Sequence, residues 1–71
     1  MNRIELARIK RRKETVEKGV RIELIQMEGE QGMEPGLQGT VQFVDDMGTV
    51  FVNWDNGRSL GLALEDSFRI L

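Results

Sequence analysis

Few residues in this 71-residue chain are of types that do chemistry. It has no histidine, the commonest general base. It has no cysteine, which excludes a thiol nucleophile, a zinc–thiolate site and a disulfide. The hydroxyls are Thr15, Thr40, Thr49, Ser59 and Ser67, and spacing gives none of them a base. Asp45-Asp46 is the best acid–base candidate, but paired catalytic carboxylates need a pocket that separates their pKa values. Followed by Met47-Gly48, the pair reads as a solvated hairpin turn, since aspartate is a favoured turn residue. A calcium loop needs oxygens at alternating positions and a closing glutamate, which neither Asp45-Asp46-Met47-Gly48 nor Asp55-Asn56-Gly57 supplies. Gly29, Gly32, Gly36 and Gly39 lead into a strand rather than a helix, so they read as turn punctuation and not as a phosphate cradle. The expectation is a chain with no catalytic residues, no metal and no cofactor.

The positive signal is basic. Residues 1–21 carry eight bases against three acids, and residues 22–71 carry two bases against nine acids, giving +5 and −7 and a net −2. Such asymmetry fits a basic arm on an acidic body. The run Lys10-Arg11-Arg12-Lys13, with Arg8, reads first as a solvated helix face relieved by Glu14 and Glu17. Its functional alternative is contact with nucleic-acid phosphates. Against that, four consecutive bases wrap around a helix, and no exposed aromatics are interleaved for stacking.

The arm that carries these bases is a helix by pattern. Asn2 can cap its start with Glu5 as the capping-box partner, no Gly or Pro interrupts residues 3–18, and Gly19 is placed as the stop. Leu6, Ile9 and Val16 fall on one side with Lys13 among them. The stripe could pack on the chain's own body or pair with a second copy.

Beyond Gly19 the apolar period becomes two. Val20-Arg21-Ile22-Glu23-Leu24-Ile25 reads as a strand, and residues 26–38 as a long loop that, with the acidic turns, offers a surface for a protein or peptide. Gly39-Thr40-Val41-Gln42-Phe43-Val44 and Thr49-Val50-Phe51-Val52-Asn53-Trp54 read as strands joined by a four-residue turn. That turn pairs Phe43 with Val50 and Val41 with Val52, all facing the core. A three-residue loop at Asp55-Asn56-Gly57, with a bulge at Gly57, then pairs Val52 with Leu60 and Val50 with Leu62. A two-residue turn would put Leu60 and Leu62 on the wrong face. Trp54 shares the parity of Val50 and Val52 and belongs to the core. Phe51 points outward above Gly61, where an aromatic covers a strand glycine, packs under the helix, or binds a ligand. A short turn at residues 64–67 leads to a last strand, Phe68-Arg69-Ile70-Leu71. Five short strands behind one helix predict a mainly β fold, a small SH3-like barrel. The single domain spans residues 1–71, with the basic amphipathic helix at 1–18 and the barrel at 20–71. No segment is apolar enough for a signal peptide or a membrane span, which points to a soluble, cytoplasmic protein.

The stretch Gly39-Thr40-Val41, Val44-Asp45-Asp46-Met47-Gly48 and Val52-Asn53-Trp54-Asp55-Asn56-Gly57-Arg58-Ser59-Leu60 resembles a family of small bacterial, phage and mobile-element domains, domain of unknown function 4314. Its signature is Val-Asp-Asp-x-Gly followed by Trp-Asp-Asn-Gly, so Asp45, Asp46, Gly48, Trp54, Asp55, Asn56 and Gly57 are the matching positions. The segment from Met27 to Met33 departs from the family's more proline-rich loop. The resemblance implies an SH3-like barrel and a prokaryotic origin, and supplies no activity or binding residues. Two functions follow for the chain as a whole. The first is a non-catalytic interaction module for a protein or peptide. The second is an accessory nucleic-acid binder that uses the helix bases, so the candidate binding residues are Arg8, Lys10, Arg11, Arg12 and Lys13, with Phe51 as a separate ligand-binding candidate.

Overall fold

The computed structural model describes residues 2–71. Helix α1 spans Arg3–Thr15 and is followed by strands β1 (Arg21–Gln26), β2 (Gln38–Val44), β3 (Val50–Trp54), β4 (Ser59–Leu62) and β5 (Ser67–Ile70). The strands form one antiparallel sheet in the order β4-β3-β2-β1-β5, so the mainly β class with five strands and one N-terminal helix is what the chain adopts. β4 and β5 are the sheet's two edges.

The helix begins as the sequence predicts. Asn2 Oδ1 accepts from the Glu5 backbone N–H at 2.8 Å, and Asn2 Nδ2 donates to Glu5 Oε1 at 3.0 Å. It ends earlier than residue 18. Val16 turns to extended backbone while its N–H still donates to the Arg12 carbonyl. That exit drops the Val16 side chain into the core, and Gly19 then donates to the Val41 carbonyl at 2.8 Å. Core burial and a sheet hydrogen bond outweigh one more helical turn.

The docking stripe also differs. Ile9, Arg12 and Val16 are buried, whereas Leu6 is exposed. The spacing of three and four puts those three residues on one face, with a charged residue in the middle. Ile9 lies against Gly48.

Inside the sheet, Ile22, Leu24, Val41, Val50, Val52, Trp54 and Leu62 form the core, joined by Val16 and Met33. The β3–β4 hairpin has the predicted register, Val52 opposite Leu60 and Val50 opposite Leu62. Trp54 donates from its backbone to Arg58 and accepts from Gly57, so Asp55-Asn56-Gly57 is the three-residue loop, with Gly57 at φ +90°. Asn56 Oδ1 accepts from the Arg58 N–H and fixes the turn.

The β2–β3 pairing departs from prediction. Val41 lies opposite Val52 as expected, but a bulge follows, and Phe43 then pairs with Phe51 and Val44 with Val50. One extra residue, Gln42, reverses the parity. Phe43 therefore faces outward at 54% exposure instead of lining the core, and its ring stacks on Phe51 with centroids 4.5 Å apart. The turn favours this register. Asp45 Oδ1 accepts from the N–H groups of both Met47 and Thr49 at 2.9 Å, and Asp45 donates to the Thr49 carbonyl.

Gly39 is not turn punctuation. It lies within β2 opposite Trp54 and is buried against it, while Gly29, Gly32 and Gly36 do occupy turns with positive φ. The long loop is strapped down as well. Met33 is buried, Gly36 and Leu24 hydrogen-bond across it, and Asn56 and Arg58 donate to Gly32 and Gln31 carbonyls.

Candidate functional site

The basic residues of the arm divide by what each side chain touches. Arg12 is enclosed. Its guanidinium donates to the carbonyls of Gly48 (2.6 Å), Ala63 (3.0 Å), Leu64 (3.2 Å) and Asp66 (3.0 Å), with Leu62 at 3.5 Å. Its Cζ lies over the Phe68 ring, 5.1 Å from the centroid. The β2–β3 turn supplies the Gly48 carbonyl, and the tight crossing from the end of β4 to β5 supplies the others. Burial pulls the Arg12 pKa down, Arg8 adds to that as a like charge, and Asp66 and Glu65 oppose it. Arg12 holds the helix to the sheet and presents no free guanidinium to a phosphate.

Arg8 reaches the Leu64 carbonyl at 2.6 Å but remains exposed. Lys13 is paired with Asp46 at 2.6 Å. Lys10 and Arg11, with Arg3 and Lys18, have no side-chain partner among the described residues and are exposed. The remaining bases are engaged, Arg21 with Asp55, Arg58 with Glu30 and Arg69 with Glu23.

Arg8, Arg11 and Thr15 share one flank of α1. That flank, with Arg12 and Val16, forms one wall of a groove of about 310 Å³. Phe68 and Ile70 of β5 form the other. β5 pairs Phe68 with Leu24 and Ile70 with Ile22, so both side chains lie on the core face of the sheet, under the helix flank. Ile70 is 48% exposed there. The groove thus has an apolar floor, a basic rim and no carboxylate in its lining. Sequence reading found Arg8, Arg11 and Arg12 but missed Thr15, Phe68 and Ile70. Only the β1–β5 pairing brings the last strand beside the first helix, and no local pattern announces that.

Phe51 sits apart from this groove, on the outer face of the sheet. It packs over Gly61, where a Cβ would lie 3.4 Å from its ring. With Phe43, Asn53, Ser59 and Leu60 it lines a separate depression of about 390 Å³.

The signature residues hold turns. Asp45 and Gly48 shape the β2–β3 turn, with Gly48 at φ +83° under Ile9. Asp46 accepts from Lys13, which holds its carboxyl below the usual range. Asp55 accepts twice from Arg21, at 2.8 and 2.6 Å, with the same effect on its pKa. Trp54 is buried, and its indole N–H donates to the Leu60 carbonyl at 3.1 Å. Among the described residues no group of three or more acidic, His or Cys side chains is placed to hold a metal, and no helix is long and apolar enough to cross a membrane.

This geometry defines a small five-stranded antiparallel domain locked to a basic helix by one buried arginine. Its family model is described as "Domain of unknown function (DUF4314)"; it matches residues 5–71, and the chain belongs to that family. Comparison with curated proteins and with solved structures returned no match.

Proposed function

We propose that the domain is a non-catalytic protein-interaction module that receives a segment of its partner in the groove between α1 and β5. The observation that carries this reading is the lining: exposed Ile70 and half-buried Phe68 lie under Arg8 and Arg11, with no carboxylate present. An apolar floor with a polar, charged rim is the ordinary composition of a protein-binding site. The chain's surface is 4726 Å², so a standard interface of about 800 Å² per partner would occupy about a sixth of it. Lack of His and Cys, and the engagement of Asp45 and Asp46 in a turn, support a non-catalytic role. A cytoplasmic, bacterial, phage or mobile-element setting accompanies this reading. The test is affinity capture from a lysate of the encoding organism. It compares the wild-type chain with Ile70→Glu in the groove and Phe43→Ser on the opposite face. The expected result is a protein retained by the wild type and Phe43→Ser and lost with Ile70→Glu; equal retention by all three refutes the groove.

A second reading rests on the four free cations Arg3, Lys10, Arg11 and Lys18, all on the arm. They would contact nucleic-acid phosphates. A backbone amide titration with a short DNA duplex, at low and then physiological salt, tests it. Shifts confined to residues 3–18 that vanish with salt favour it, because phosphate contacts are salt-dependent. No shifts at low salt exclude it.

A further inference from the structure

We infer that the α1–β5 groove takes an extended acidic peptide carrying aliphatic side chains, laid along the free edge of β5; this rests on the groove reading above. Three observations converge. β5 ends the sheet and is paired on one side only, by β1, so its other side can accept a further strand. The floor that such a strand would cover, Val16, Phe68 and Ile70, is apolar and takes aliphatic side chains. The wall above it carries Arg8 and Arg11, whose charges have no carboxylate partner among the described residues.

Charge selects the occupant. Arg8 and Arg12 stand four apart on the helix, and Arg8 already disfavours the charge on Arg12. Like charges at that spacing repel. A carboxylate placed between Arg8 and Arg11 relieves the repulsion, and Arg11 offers a planar fork that fits it. A basic or neutral segment would leave that repulsion in place. A nucleic-acid backbone would satisfy the arginines. It would also set charged phosphates over Phe68 and Ile70 and leave the edge of β5 without a ladder partner. The peptide answers to all three features.

Selection of random displayed octapeptides on the whole chain tests this. Selected peptides, synthesised with blocked termini, are titrated against labelled wild-type, Arg11→Glu and Ile70→Glu chains. Both substitutions lie at exposed positions and leave the buried contacts in place. The expected peptides combine Asp or Glu with Val, Ile or Leu. They shift amides of residues 8–16 and 67–71, and bind either variant about tenfold or more weakly. Peptides that bind those residues without any carboxylate overturn the acidic occupant and leave the groove reading standing. Peptides that bind elsewhere, or a library that yields no binder, overturn both. A short DNA duplex run in the same titration, if it shifts residues 8–16 more tightly than the peptides at physiological salt, assigns the arginines to phosphate instead.

Discussion

The four terminal N–H groups of Arg12 reach five backbone carbonyls, one of them shared and longest at Leu62, and no carboxylate among the described residues forms an ion pair with it. A buried cation without a counter-ion is held by oriented dipoles, and hydrogen bonds to a charged group contribute about 1.5–3 kcal/mol each at most. A domain of this length has a total stability of about 4–10 kcal/mol. Arg12→Met should therefore lower stability by about 3 kcal/mol or more, since Met leaves several carbonyls unsatisfied. Arg12→Lys should recover only a part, because a single ammonium cannot span acceptors on both sides of the fork. Urea unfolding followed by Trp54 fluorescence measures both, and equal stability of the Lys variant and the wild type would refute the account. Gly39 is the second residue on which packing depends. A Cβ there would lie 2.5 Å from Val52 Cγ1, 2.9 Å from Trp54 Cε3 and 3.0 Å from the Asn53 carbonyl oxygen. The carbonyl belongs to β3 and cannot step aside. Gly39→Ala should cost about 1–3 kcal/mol as overpacking, read as a lowered urea midpoint.

At the level of elements, the loop between β1 and β2 behaves as part of the fold. Met33 is 4% exposed and closes one end of the core, and the β3–β4 turn grips the loop through Asn56 and Arg58. Met33→Ala should cost about 2–4 kcal/mol. It should also speed amide exchange at residues 27–37 ahead of the strands, because it removes the loop's one buried anchor; uniform protection would show the loop held by its hydrogen bonds alone. The elements differ in how far the sequence discloses them. In the β3–β4 hairpin, Val50, Val52, Leu60 and Leu62 supply two inward residues on each strand, so only one loop length satisfies all four. In β2, Val41 and Phe43 alternate as regularly as an unbulged strand would. The bulge is decided by the Asp45 turn and by the stacking of Phe43 on Phe51, which are contacts between strands. Ile9 and Val16 were legible as the helix's inner face, but Arg12 reads as a break in an apolar stripe until the carbonyls it serves are in view. The groove was the least legible, since its two walls lie at opposite ends of the chain.

Over the whole molecule, opposite charges pair across the chain's two differently charged segments. Lys13–Asp46 and Arg21–Asp55 each join a base of the first 21 residues to an acid of the remainder. Both acids are well exposed, so these pairs contribute little near neutrality. What they do contribute is read by its loss in acid. Hydrogen bonds from Lys13 and Arg21 hold the Asp46 and Asp55 pKa values below the ordinary carboxylate value. The unfolded chain, with aspartates near about 3.9, therefore binds more protons than the folded chain as pH falls through that range. What the two pairs add to stability is present above the unfolded value and is lost as pH drops through the lower folded ones. Urea midpoints measured from neutral pH down to about pH 2 should fall less steeply below about pH 4 in an Asp46→Asn/Asp55→Asn chain than in the wild type. Coincident acid limbs would mean that other carboxylates govern acid unfolding, and that the two ion pairs are ordered without being thermodynamically coupled to the fold.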